Sequence, residues 1–449
     1  MTWVGNMHDL VIRGGQVVTP AGVISADVAI EDERIIEIGR DASTGKDEMD
    51  ARGLTIFPGV IDVHVHFNEP GRTHWEGSAT GSRAFAAGGG TLFFDMPLNS
   101  TPCTVNGAAF DAKRAALERS SITDFALWGG LVPGNTRELP ELAERGVVGF
   151  KAFLCDSGLP EFPRVDEPTL LEGMRVAAKF GLPVAVHAES QAITSALASE
   201  AIGNGRTSVF DYLASRPVGA EVEAIQFAAA IAEETGAKLH IVHVSSGSGV
   251  RAAVEARERG VDVSIETCPH YLFFTAEDME RLGAVAKCAP PLRSIPERQD
   301  LWERVLDDSV EIIGSDHSPA PLELKRGEDF FRIWGGIAGI QATLAVLLEE
   351  GYHRRGLPLE RIAELLSNRP ARRFDILNKG VIRAGCDADL AMVRLSEPFL
   401  MDAASLLQRH AISPYIGCRF RGKVERTLLR GKPAGTRTGR FVRPQSTID

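Results

Sequence analysis

Between about residues 57 and 375 the chain alternates eight short apolar runs with longer amphipathic windows. This alternation narrows the available folds more than any other feature. The apolar runs are 60–66, 91–96, 125–131, 147–154, 183–187, 239–244, 261–267 and 310–315, and helix-like windows such as TLLEGMRVAAKFG and EVEAIQFAAAIAEETG lie between them. Strands separated by helices pair in parallel, and eight such units close into an α/β barrel of the (β/α)8, or TIM, type. An open doubly wound sheet is the alternative. It is disfavoured because no G-x-G-x-x-G turn follows the first run.

The flanks read differently. LVIRGGQVVTP and DVAIEDERIIEIG near the start, and DADLAMVRL, KVERTLLRG and GRFVRP near the end, are β-branched stretches broken by Gly, Pro and Asp. Neither flank holds enough strands for a sheet of its own. The two are therefore expected to pair into one small β-sandwich domain, residues 1–56 with 380–449, with the barrel, 57–379, inserted between its halves.

Lys plus Arg total 49 and Asp plus Glu 60, a formal net charge of −11, which argues against nucleic acid or an anionic membrane as the main partner. At 44% hydrophobic and 24% charged residues the chain has ample material for a core, and disorder is excluded. None of the six cysteines forms a C-x-x-C pair, which suits a reducing compartment. MTWVGNMHDLVIRGG lacks the basic-then-apolar pattern of a secretory signal, and no apolar run approaches the ~18 residues of a membrane span, so a cytoplasmic location is expected.

In such a barrel, side chains at the C-terminal strand ends share one pocket. The first run ends in Asp62-Val63-His64-Val65-His66; side chains alternate along a strand, so His64 and His66 face the same way. By itself H-x-H is weak, since about 0.3 such triplets arise by chance in this composition. The other strand ends change its weight. Lys151 interrupts the apolar GVVGFKAFL, and lysine is almost never buried unpaired, so it either snorkels outward or is neutralised by chemistry. The fifth run ends at His187, the sixth at His243, and the eighth is followed by Asp316 and His317. His240, three residues before His243, should face away and is read as structural; His317, next to Asp316, should face the other side and is read as structural or as a support behind the ligands rather than a ligand. Imidazoles and a carboxylate gathered with one buried lysine make a metal site of zinc-like character, and a bound metal brings the pKa of a water toward ~7.

PGVIDVHVHFNEPG, GFKAF, HAE, HVSS, CPHYL, KCAPPLR and GSDHSP, in this order along nearly the whole chain, resemble the cyclic amidohydrolases: dihydroorotases, hydantoinases (dihydropyrimidinases) and allantoinases. The resemblance implies that Lys151 is carboxylated and that its carbamate bridges two divalent metals, zinc foremost. One metal is then also held by His64, His66 and Asp316, the other by His187 and His243. It further implies a metal-bridging hydroxide as nucleophile and Asp316 as the proton carrier. Backbone contacts to the substrate ring amide fall near Ala289 and Gly335, and the assembly expected is a homotetramer.

Within the family, dihydroorotases place a carboxylate-binding Arg where this chain has Asn68, and hydantoinases place a substrate-binding Tyr where it has Asp156, so the resemblance implies that Asn68 and Asp156, with Asn99, meet the substrate. HFNEPGRTHWEG, DMPLNSTP, FRIWGGIAGIQ and HAISPYIG are similar to the allantoinase branch, which implies allantoin as the small-molecule substrate. The alternatives are a broad hydantoinase and a non-catalytic binding relative. The intact set of six ligand positions disfavours the second. Asn99, after the second run, either donates to substrate or makes a turn. Arg72, His74, Trp75 and Glu76 either shape the pocket for the ureido tail or form a solvated loop. Cys268 is read as a small buried hydrophobe.

Overall fold

The computed structural model describes residues 7–436 and 439–445. Five strands come first: β1 (His8–Thr19), β2 (Gly22–Glu31), β3 (Arg34–Gly39), β4 (Gly45–Asp50) and β5 (Thr55–Pro58). The barrel strands follow: β6 (Val60–Val65), β7 (Gly90–Asp95), β8 (Asp124–Leu127), β9 (Gly129–Gly130), β10 (Phe150–Phe153), β11 (Val184–His187), β12 (Leu239–Ile241), β13 (Val263–Thr267) and β14 (Ile312–Ile313). Last come β15 (Leu390–Leu400), β16 (Arg419–Leu429) and β17 (Lys432–Pro433).

All eight expected runs are barrel strands. The third is split at Trp128: β8 pairs with β7, while β9 pairs with β10. Trp128 stays buried there and donates its indole N–H to the Val63 carbonyl at 2.9 Å. Pairing then runs in parallel from β10 through β11, β12 and β13 to β14. The last strand is shorter than its apolar run because a side chain takes over the pairing. Asp62 Oδ1 accepts the N–H of Ser315 at 3.0 Å, and His66 N–H donates to the His317 carbonyl at 2.8 Å, which closes the barrel. Strands β6 and β7 are buried along their whole length, as expected of parallel strands covered on both faces.

The crossovers are helices whose sequence spacing sets their inner face. In Glu167–Lys179 the buried residues are Leu170, Gly173, Met174 and Ala177, the i, i+3, i+4, i+7 pattern of a helix packed on a sheet. Asp166 caps it by accepting the Thr169 N–H at 3.0 Å.

Both ends of the chain build one eight-stranded sheet, because β5 lies antiparallel to β15 with Leu390 opposite Pro58 and Val393 opposite Thr55. One expected strand does not join it. Residues 439–445 run along the barrel instead: Phe441 bridges Phe125, and Arg440 N–H donates to Asp124 Oδ1 at 2.9 Å. Phe441 packs edge-on against Phe110, so aromatic burial at the foot of the barrel outcompetes edge pairing in the sheet. Among the described residues no helix is long and apolar enough to cross a membrane.

Candidate active site

The C-terminal ends of the barrel strands surround a cavity of about 520 Å³, whose wall includes His64, His66, His187, His243 and Asp316. Two of these residues sit in left-handed backbone, His243 at φ 40° and Asp316 at φ 44°, just past the ends of β12 and β14. Non-glycine residues there cost stability unless their surroundings hold them, and such positions gather at functional sites. The turn aims both side chains back over the barrel mouth.

Asp316 Oδ1 lies 3.4 Å from His64 Nε2 and 3.3 Å from His66 Nε2. His64 is oriented from behind, its Nδ1–H donating to Glu266 Oε1 at 2.9 Å, which leaves the Nε2 lone pair facing Asp316. The other oxygen of Glu266 accepts from His240 Nε2 at 2.9 Å, and His240 Nδ1 accepts from Ser264 at 2.8 Å. His240 is thus structural, as expected, through a carboxylate that sequence reading passed over. Burial works against an ionised Glu266, but His64 and His240 outweigh it and hold its carboxyl at about 2. Burial likewise keeps His64 below the ordinary imidazole value.

A second pair stands opposite. His187 Nδ1 lies 3.1 Å from His243 Nε2, while its Nε2–H donates to Glu189 Oε2 at 2.7 Å. Glu189 also pairs with Arg216, and despite burial these cations hold its carboxyl at about 2. Phe153 stacks on His187 with centroids 4.6 Å apart. Burial, then the nearby Lys151 charge, pushes His243 well below the usual imidazole range, so that ring is neutral and offers a lone pair, whereas at His187 burial is outweighed by the neighbouring Cys155 and Glu189, which raise the ring to about 9.

Lys151 resolves its sequence puzzle by being fully buried rather than snorkelling. Its Nζ makes no hydrogen bond among the described residues and lies 5.1 Å from the centre of the Phe153 ring. Burial brings its pKa down to about 8. An unpartnered buried ammonium costs several kcal/mol, on the order of 1–3 or more even after relaxation. His64, His66 and Asp316 form one group whose ligand atoms all lie close enough to share a metal ion.

Comparison with known proteins gives the family. Residues 55–434 match the amidohydrolase family. The chain belongs to the amidohydrolase family. This amidohydrolase is 65% identical to an allantoinase of Solibacter usitatus over 95% of its own length and 93% of that protein. It is 56% identical to an allantoinase of Rubrobacter xylanophilus, with 97% and 98% of the two chains covered. Among solved structures it is similar to the L-hydantoinase of Arthrobacter aurescens, with TM-score 0.94, 32% identity, and 97% and 100% of the two chains covered.

Four further positions expected to meet substrate in this amidohydrolase, Asn99, Asp156, Ala289 and Gly335, lie on the cavity wall. Asn99 sits at φ 70° with its amide 3.4 Å from Ser318 Oγ, so it makes a turn and faces the cavity as well. Asn68 does not belong with them. At φ 62° the backbone turns its side chain away from the cavity, where it is buried and donates to the Pro319 carbonyl at 3.3 Å. The 72–76 cluster divides: His74 is exposed, while Arg72 donates to the Asn99 carbonyl at 3.0 Å and so supports the cavity wall. Glu76 is buried and accepts the Arg409 N–H at 3.0 Å, and Trp75 packs edge-on against Trp334 at 4.9 Å. The cluster braces the loops around the cavity without lining it. His317 accepts N–H groups from Gly339 and Ile340 at 3.2 and 3.4 Å, which ties it to the neighbouring loop as read. Cys268 is fully buried, and burial pushes its thiol well above the ordinary value, so it is no nucleophile.

Proposed function

We propose that this amidohydrolase is an allantoinase, opening the hydantoin ring of allantoin to give allantoate. The observation that carries the reading is the unpartnered, fully buried Lys151 Nζ, whose charge is felt by His64, His243 and Asp316. The donor set fits two divalent cations, zinc foremost: imidazole lone pairs, one carboxylate, and a lysine that becomes an anionic ligand on carboxylation. In that step the neutral Nζ attacks CO2, a C–N bond forms and a proton leaves to solvent. When bound, such a cation pair supplies an ionised water at neutral pH and polarises the scissile carbonyl.

The chain's own residues do the rest. Backbone groups at Ala289 and Gly335 hold the ring amide across the cavity. Asp316 takes a proton at its carboxylate and delivers it to the leaving ring nitrogen, base first and acid second. His64 and His66 outweigh burial and keep that carboxyl well below its usual range, so it enters the cycle ionised. Allantoin is favoured over the ring substrates of relatives for two reasons. The position of a carboxylate-binding Arg is filled by Asn68, which faces away, and the position of a hydantoin-binding Tyr is the cavity-lining Asp156. The allantoinase names of the near full-length relatives support the same substrate.

The test is a parallel assay on allantoin, hydantoin, dihydrouracil and dihydroorotate, with metal and bicarbonate supplied. Allantoin is expected to be turned over with strong preference and dihydroorotate poorly. Preferred turnover of hydantoin or dihydrouracil would discard allantoin and keep the chemistry.

Glu266 gives a second expectation. Because it fixes the tautomer and direction of His64, Glu266→Gln is expected to weaken metal binding by roughly 10- to 100-fold, the scale for groups that orient metal-bound histidines. Metal titration of the purified variant checks it, and unchanged affinity would remove Glu266 from that role.

A further inference from the structure

Lys287 and Lys325 are both buried, and among the described residues neither pairs with a carboxylate. Their ammonium groups end on backbone instead. Lys287 Nζ donates to the carbonyl of Phe330 at 2.6 Å, to that of Phe331 at 3.3 Å, and to that of Ile333. It also lies 4.6 Å from the centre of the Tyr212 ring. Lys325 Nζ donates to the carbonyls of Trp334 at 3.0 Å and Gly336 at 2.6 Å. One segment, 330–336, therefore receives two buried cations, and its carbonyls are taken up almost one after another.

Two are left over. Arg332 points its side chain to solvent. Gly335, on the cavity wall, has both its N–H and its carbonyl without a hydrogen bond among the described residues, although its neighbours are fixed on either side. Gly336 N–H donates to the Lys287 carbonyl at 2.8 Å and Trp334 N–H to the Leu324 carbonyl at 2.9 Å. A desolvated ammonium is costly, and carbonyl dipoles offset that cost only while the loop keeps this shape.

We propose that Lys287 and Lys325 are positioning residues: Lys287, whose side chain also reaches the cavity wall, and Lys325, which does not, clamp loop 330–336 with their charges so that the free peptide of Gly335 is presented to the ring amide of the substrate. The inference rests on reading this cavity as the ring-amide site. Neither lysine acts on the reacting atoms. The clamp fixes in advance a backbone that would otherwise have to order on binding, and such ordering is a direct loss of affinity.

The experiment uses the metal-loaded full chain, the variants Lys287→Met and Lys325→Met, and whichever ring amide the wild type opens best. KM is expected to rise at least about tenfold while kcat falls by less than about threefold, the pattern of lost binding common to ground and transition states. Trypsin provides a substrate-free readout, because a released loop exposes the bond after Arg332. Cleavage there is expected to accelerate in both variants, while cleavage elsewhere keeps its wild-type rate. If Lys287→Met fails to fold, Lys325→Met, which does not touch the cavity, carries the same expectation. Unchanged KM in a folded variant overturns the proposal, as does a general rise in cleavage along the chain. Faster cleavage after Arg332 with raised KM on a ring other than allantoin keeps the clamp and discards only the substrate.

Discussion

Lys151→Ala is expected to strip most of the metal from the protein and to lower kcat/KM by at least about 10⁴-fold, the scale seen when one member of a group acting as a unit is removed. The structure explains the size of the effect. Among the described residues Lys151 Nζ is buried with no acceptor, and burial brings its pKa down to about 8, so the neutral amine that the proposed carboxylation needs is accessible. On the proposed carboxylation, shortening it to alanine removes the anionic ligand that His64, His66, His187 and His243 would share the cations with, and affinity for two divalent cations falls. Elemental analysis of metal content together with turnover checks both halves. Full activity with full metal would remove the bridging role. Supplying formate or acetate is expected to restore part of the activity, because a small carboxylate fits the space the side chain leaves and carries the missing charge.

Asp316→Asn separates binding from proton transfer. The amide oxygen still faces His64 and His66, whose Nε2 atoms lie 3.4 and 3.3 Å from Asp316 Oδ1, so much of the metal should remain. An amide cannot take up a proton, and turnover is expected to fall by about 10²- to 10⁴-fold, the range for a lost general base. Metal content near wild type with collapsed kcat is the expected result. If kcat survives, the proton travels by another route. If metal and kcat vanish together, Asp316 is chiefly a ligand.

The barrel could be read in the sequence because its strands are buried on both faces and stand out as continuous apolar runs. Lys151 and the histidines could be read because each breaks such a run or ends it. What escaped was long-range. His64 and Glu266 are 202 residues apart, and no periodicity in SIETCPHY marks that carboxylate as the one behind a histidine of the first strand. Nothing in the sequence marks Lys287 or Lys325, because their partners are backbone carbonyls that carry no sequence signature. Position in the motif points Asn68 at the cavity, whereas a left-handed turn at φ 62° carries its side chain off to the Pro319 carbonyl. Similarly, the aromatic in GRFVRP had two burial sites to choose between, and only the packed barrel shows that the one beside Phe110 and Phe125 is the better.

The antiparallel match of β5 with β15 also sets a timetable for synthesis. Strand β5 is complete at Pro58, but its partner begins at Leu390, some 330 residues later. At ~5–20 residues per second the ribosome needs roughly 15–70 s to make that stretch. For that interval the nascent chain carries a β edge with nothing beside it, while the whole barrel emerges and folds. An unpaired edge of that kind invites pairing with neighbouring chains on the same messenger. Chaperone engagement of the nascent chain is therefore expected to last until β15 has emerged and paired with β5.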